Sequence, residues 1–111
     1  MDNAGDAVEA IDMHRRALEL TLAAHGPTHP DTATAKGNLA AAMVGNGQLR
    51  ESLPLFESAH HFDRAHYGDR HSAVATDLHN LGFVLFRLGR KELAGEHFRG
   101  ALEIRTAALG P

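Results

Sequence analysis

A period of 42 residues constrains this chain more than any other property: Gly26, Gly68 and Gly110 are evenly spaced, and the residues between them return in register. Segments 27–68 and 69–110 share ten identities, namely His29/His71, Ala33/Ala75, Thr34/Thr76, Asn38/Asn80, Leu39/Leu81, Gly47/Gly89, Phe56/Phe98, Ala59/Ala101, Ala65/Ala107 and Gly68/Gly110. A fixed period of this length marks stacked supersecondary units, none of which can bury its apolar face alone. The N-terminal stretch is a partial third copy, since Arg15, Ala17, Leu18, Glu19, Ala23, Ala24, Gly26 and Pro27 recur at Arg99, Ala101, Leu102, Glu103, Ala107, Ala108, Gly110 and Pro111. We expect one domain over 1–111: half a repeat in 1–26 and full repeats in 27–68 and 69–110.

The period alone does not say which secondary structure repeats; composition does. Aromatic residues make up only 5% of the chain while alanine is plentiful, which suits helices that approach closely, so an all-α fold is expected. The net charge is −3 and the basic residues are scattered. Binding a phosphate backbone needs a concentrated positive surface, so nucleic acid is not an expected partner. No apolar run approaches the roughly 18 residues of a membrane-spanning helix, and the acidic start MDNAGDAVEA has no signal-peptide pattern, so no membrane partner is expected. The absence of cysteine excludes disulfides and thiolate chemistry and agrees with a cytoplasmic location.

Apolar spacing at three and four residues, interrupted by glycine and proline at fixed places, predicts five antiparallel helices. The first, about 6–25, presents Ala10, Ile11, His14, Ala17, Leu18 and Leu22, and Gly26-Pro27-Thr28-His29-Pro30 ends it. The second, about 31–46, has Pro30 near N1 and packs through Ala35, Leu39, Ala40 and Met43. After the Asn46-Gly47 turn, a third helix runs to about Tyr67 with Leu49, Ser52, Phe56, Ala59 and Phe62 on one face. Pro54 falls inside it, so the helix either starts nearer Ser52 or bends between Arg50 and Pro54. Ser72 is the expected N-cap of a fourth helix, about 73–88, packing through Leu78, Leu81, Gly82 and Leu85. The fifth, about 90–109, carries Leu93, Ala94, Phe98, Ala101, Leu102 and Leu109.

The stretches HPDTATAKGNLA from His29 and HSAVATDLHNLG from His71, with the ALE segment followed by AAxG, resemble tetratricopeptide repeats of the 42-residue kinesin-light-chain type. The resemblance covers nearly the whole chain and implies an α-α superhelix of two and a half repeats. Lys36, Ser52 and Pro54 depart from the family pattern, which usually has a large apolar residue, alanine and no proline at these places.

The resemblance also implies that the first helix of each repeat lines a concave face. It carries over Thr34, Gly37, Asn38, Ala41, Val44 and Gly45 in one repeat and Thr76, His79, Asn80, Phe83, Phe86 and Arg87 in the next. Asn38 and Asn80 match a family asparagine that bonds the backbone of an extended peptide, a role suited to an amide because it both donates and accepts. The alternative is a local bond to a neighbouring helix. Phe83 and Phe86 should point away from the core, offering a contact surface or intramolecular packing, while Arg87 and His79 could hold an acidic side chain or a terminal carboxylate. Gly37, Ala41, Val44 and Gly45 are small, so the first-repeat floor should be wide and shallow enough for a helix.

Nine histidines raise the question of a metal, and His25, His29, His66 and His71 all fall at inter-repeat loops. No dense ligand motif is present, so these are expected to be loop or capping residues, with a metal- or pH-responsive module as the alternative, and no metal site or cofactor is assigned. No nucleophile with a matched base and no phosphate loop can be assembled, so an enzyme is not expected. Two functions follow. The first is a protein-protein interaction module that binds a peptide or helix in the concave groove. The second is a self-associating or scaffold segment of a longer protein, using the uncapped helices at its two ends as a homo-oligomer contact.

Overall fold

A computed structural model describes residues 3–110. These form five helices, α1 (Asn3–His25), α2 (Pro30–Gly45), α3 (Leu49–Tyr67), α4 (Ser72–Arg87) and α5 (Lys91–Leu109). Each packs on the next in chain order, giving an all-α superhelix 46 × 34 × 21 Å in extent. Pro111 lies outside the described residues, and with it the Pro27/Pro111 correspondence.

Two kinds of turn alternate, and a glycine with positive φ stands in each: Gly26 and Gly68 after α1 and α3, Gly47 and Gly89 inside the α2–α3 and α4–α5 hairpins. In the first hairpin Gly47 N–H donates to Val44 O at 3.0 Å and Gln48 N–H to Met43 O at 2.8 Å. The second repeats both bonds, Gly89 to Phe86 O at 3.0 Å and Arg90 to Leu85 O at 2.9 Å. This is the Schellman arrangement, which requires a left-handed residue at the glycine position.

The other turns are closed by histidine. His29 Nδ1 accepts from Asp31 N–H at 3.1 Å, and His71 Nδ1 accepts from Ala73 N–H at 3.0 Å. The cap of α4 is therefore His71 and not Ser72, which is the first helical residue. Nδ1 lies as many bonds from the backbone as an Asn or Asp side-chain oxygen, so a neutral imidazole can substitute for the usual cap. The ring of the residue four earlier covers each capping imidazole: His25 stacks on His29 at 4.1 Å, and Tyr67 stacks on His71 at 4.3 Å.

Phe56 of α3 is 4% exposed and clusters with Ala40 of α2 and with Leu81 and Val84 of α4, so one ring joins two repeats. Ile11, Leu39 and Met43 make the equivalent contact between α1 and α2. The expected core residues of α2 are all buried, as are Ser52, Ala59, Leu81, Gly82, Leu85, Ala94 and Ala101. Leu102 and Leu109, in contrast, are 65% and 87% exposed, and Leu93, Ala17 and Leu22 are also exposed. Among the described residues α1 packs on α2 and α5 on α4, so the terminal helices have one covered side where the inner helices have two.

The three departures from the repeat pattern are accommodated locally. Lys36 spans α2 to α3, with Nζ donating to Ser58 Oγ at 2.8 Å. Ser52 is fully buried, and its hydroxyl donates to Leu49 O at 2.7 Å, so no polar group is stranded. Pro54 lies within an uninterrupted α3 and is exposed, as is Arg50, whose carbonyl it leaves without an N–H donor; water can satisfy that oxygen.

One buried group is under electrostatic stress. Asp77 of α4 is 8% exposed, and one of its oxygens has no hydrogen-bond partner. Burial first, then its hydrogen bond to Asp63 of α3 and that group's charge, push its pKa up to about 8. The folded state thus holds a proton that the unfolded chain releases, so this pair stabilises the fold fully below the ordinary carboxylate range and loses that contribution as pH rises toward 8. Asp77→Asn keeps a donor toward Asp63 and removes the ionisation. It should be more stable than the parent by about 1–3 kcal/mol at pH 8 and closely matched near pH 4, as read by urea denaturation.

Candidate peptide-binding groove

The helical period sets which residues of α2 and α4 face away from their partners α3 and α5. Thr34, Asn38, Ala41, Gly45, Thr76, His79, Phe83, Phe86 and Arg87 are exposed, and Gly37, Val44 and Asn80 are half-buried. Every position carried over from the repeat pattern is therefore accessible on the first helix of its repeat.

Only some of these meet. A hollow of about 170 Å³ opens between α2 and α4, lined by Ala41, Val44, His79, Asn80 and Phe83, with Phe56 and Val84 beneath. Thr34, Asn38, Thr76, Phe86 and Arg87 lie outside this lining. Phe56 and Val84 are the residues that sequence reasoning missed. Phe56 had been assigned to the core, and it is at once a core residue and the floor of the hollow, because α3 passes behind the space between α2 and α4. Helical periodicity places a residue on a face but does not show that a ring from another helix fills the gap. Of the four small residues expected to floor the first repeat, Ala41 and Val44 line the hollow, and Gly37 and Gly45 lie outside it.

The rim is partly organised by contacts within the chain. Arg87 lies over the Phe83 ring with its guanidinium carbon 5.6 Å from the centroid, a cation–π contact one turn apart on α4. His79 packs against Phe98 with ring centroids 5.5 Å apart. That ring comes close to α4 at Gly82, where an added Cβ would stand 2.8 Å from Phe98 Cε1. The side-chain hydrogen bonds that join one element to the next run elsewhere, from Lys36 to Ser58 between α2 and α3 and from Thr32 to the Gly26 carbonyl after α1. Among the described residues, neither the Asn38 nor the Asn80 amide makes a side-chain hydrogen bond.

The hollow thus combines apolar walls, one accessible amide, one imidazole and an arginine one turn away. Such a lining can hold an apolar side chain while an amide pairs with a backbone peptide group.

A solenoid of helix pairs with this inner surface defines a class that comparison places further. A tetratricopeptide repeat family model matches residues 3–65 and 46–107, and the chain belongs to that family. Over 107 residues it is 30% identical to a clustered mitochondria protein homolog of Danio rerio and 27% identical to one of Homo sapiens, with 96% of this chain and 8% of each relative covered. The chain therefore spans about a twelfth of the length of the relatives it matches. Among solved structures, the nearly identical TPR-like repeats of a kinesin-light-chain-like protein from Podosopora anserina superpose with a TM-score of 0.85 at 20% identity, over 92% of this chain and 48% of that one. No helix among the described residues is long and apolar enough to cross a membrane.

Stability and surface should separate at these positions. Phe56→Ala should cost about 3–5 kcal/mol because a ring shared by three helices leaves a cavity, whereas Phe86→Ala and Asn80→Ala should each stay within about 0.5 kcal/mol of the parent in urea denaturation.

Proposed function

We propose that this tetratricopeptide segment is a non-enzymatic module that recognises an extended peptide or a helix of a partner protein in the groove between α2 and α4. The observation that carries this proposal is the hollow at the repeat boundary, where the accessible Asn80 amide stands among Ala41, Val44, His79 and Phe83 over a Phe56 floor. Asn38 and Asn80 fix the ligand backbone, and Phe83 and Phe86 supply apolar contact. Arg87, held against Phe83, and His79 select a polar or acidic group. Thr34 and Thr76 border the same face. Binding of this kind uses a platform ordered beforehand, so little conformational entropy is lost on the protein side.

Peptides selected from a random display library on the isolated chain give the test. Those enriched should bind Asn80→Ala and Phe83→Ala variants at least about tenfold more weakly, a loss of roughly 1.4 kcal/mol, while the variants melt like the parent. Selected peptides that bind both variants as tightly as the parent would place recognition elsewhere.

A second function, scaffolding through the end faces, is favoured by a separate observation. Leu102 is 65% exposed, yet it occupies the same place in the period as His60, which is half-buried where α3 meets α4 and α5. Met13 and Leu20 of α1 are likewise 71% and 66% exposed. These faces are suited to further repeats of a longer chain or to a second copy. Sedimentation velocity should then show concentration-dependent association that Leu102→Glu abolishes, and a monomer at all concentrations would refute self-association.

A further inference from the structure

Three metal-donor side chains converge where α1 ends and α2 begins. One donor atom each of His25, His29 and Asp31 lies within 4.8 Å of the others. His25 Nε2 is 3.5 Å from Asp31 Oδ2, and His29 Nδ1 is 3.9 Å from the same oxygen. Two ligands each about 2.0–2.1 Å from a tetrahedral zinc ion stand roughly 3.3 Å apart, so both separations are close to ligand spacing. The two imidazoles are stacked 14° from parallel with centroids 4.1 Å apart, so no single ion lies in both ring planes while the stack is intact. His25 is exposed, so its ring is free to leave the stack, and coordination requires that it does.

The repeat itself shows what this junction does not need. Tyr67, His71 and Ala73 occupy the places of His25, His29 and Asp31 one period later. There the cap bond is 3.0 Å and the ring stack 4.3 Å, matching the first junction with neither a second imidazole nor a carboxylate. Capping and stacking therefore account for His29 and for an aromatic ring at position 25. They require neither a second imidazole nor a carboxylate, which here face each other at 3.5 Å across the ends of α1 and α2.

We propose that His25, His29 and Asp31 bind a divalent transition-metal ion of the zinc class, which staples the end of α1 to the start of α2. Two neutral imidazoles and one carboxylate suit a borderline ion such as zinc, whereas magnesium and calcium prefer all-oxygen shells. The three side chains are 42%, 38% and 65% exposed, so the ion enters directly from solvent and water completes its coordination. His29 exchanges one hydrogen bond, from Asp31 N–H, for coordination through the same Nδ1. The ion then joins two helices that otherwise meet through the Ile11, Leu39 and Met43 contact and the bond from Thr32 Oγ1 to Gly26 O.

Zinc chloride titrated into the chain at neutral pH should give saturable one-to-one binding by calorimetry. Imidazole NMR resonances of His25 and His29 should shift while those of His71 do not, and magnesium should shift none of them. His25→Tyr and Asp31→Ala install the second junction's own residues and should keep the metal-free melting temperature. Each should weaken zinc binding by at least about tenfold. Absence of one-to-one binding, binding that moves other histidines instead, or affinity that survives both substitutions would overturn the site.

Discussion

Burial of the Phe56 ring is the contact on which the rest of the molecule depends. The ring belongs to α3, yet it touches Ala40 of its own repeat and Leu81 and Val84 of the next, so a single side chain both closes one helix pair and stacks it on another. Ala40 is fully buried, and its small side chain lets α2 and α3 come near enough for the ring to reach across. The same ring floors the hollow between α2 and α4. Packing and the hollow therefore share an atom group, which explains why the hollow appears at the repeat boundary and not along one helix.

The period holds positions constant while letting their chemistry drift. Ser52 and Ala94 are both fully buried at one register, because a serine hydroxyl that bonds the carbonyl three residues back behaves as a small apolar residue. Thr32 and Val74 are both buried, and the threonine adds a bond to Gly26 O. Ala35 and Asp77 are also both buried, but here the exchange puts a carboxyl against Asp63. Backbone geometry is indifferent to such changes as long as volume and hydrogen bonding are met. They give each junction its own electrostatic character, a protonated acid pair at one and a histidine–aspartate cluster at the other.

Much of this was legible beforehand. Five helices, their order and the two kinds of turn follow from apolar spacing and from where glycine and proline fall, and the observed boundaries lie no more than three residues from those expected. The loop histidines were expected to be loop or capping residues, and His29 and His71 are caps. Ser72 was a reasonable cap by residue type, but it lies one residue late, and the choice between neighbours depends on a ψ angle that residue type does not encode. Leu102 and Leu109 were placed in the core because their spacing is that of a buried face. Spacing reports which side of a helix is apolar and carries no information on whether a neighbour covers it.

Local pattern therefore accounts for the repeat, the helices and the turn glycines, because each depends on residues within one or two turns of one another, whereas the inner face was implied by the family resemblance. Three features required the helices to cross in space: the meeting of Ala41 and Val44 with His79, Asn80 and Phe83 over Phe56, the confinement of Asp77 against Asp63, and the approach of Asp31 to both His25 and His29. They arise from interaxial distance and side-chain direction between elements far apart in the chain or joined by a turn, and no one-dimensional period specifies either.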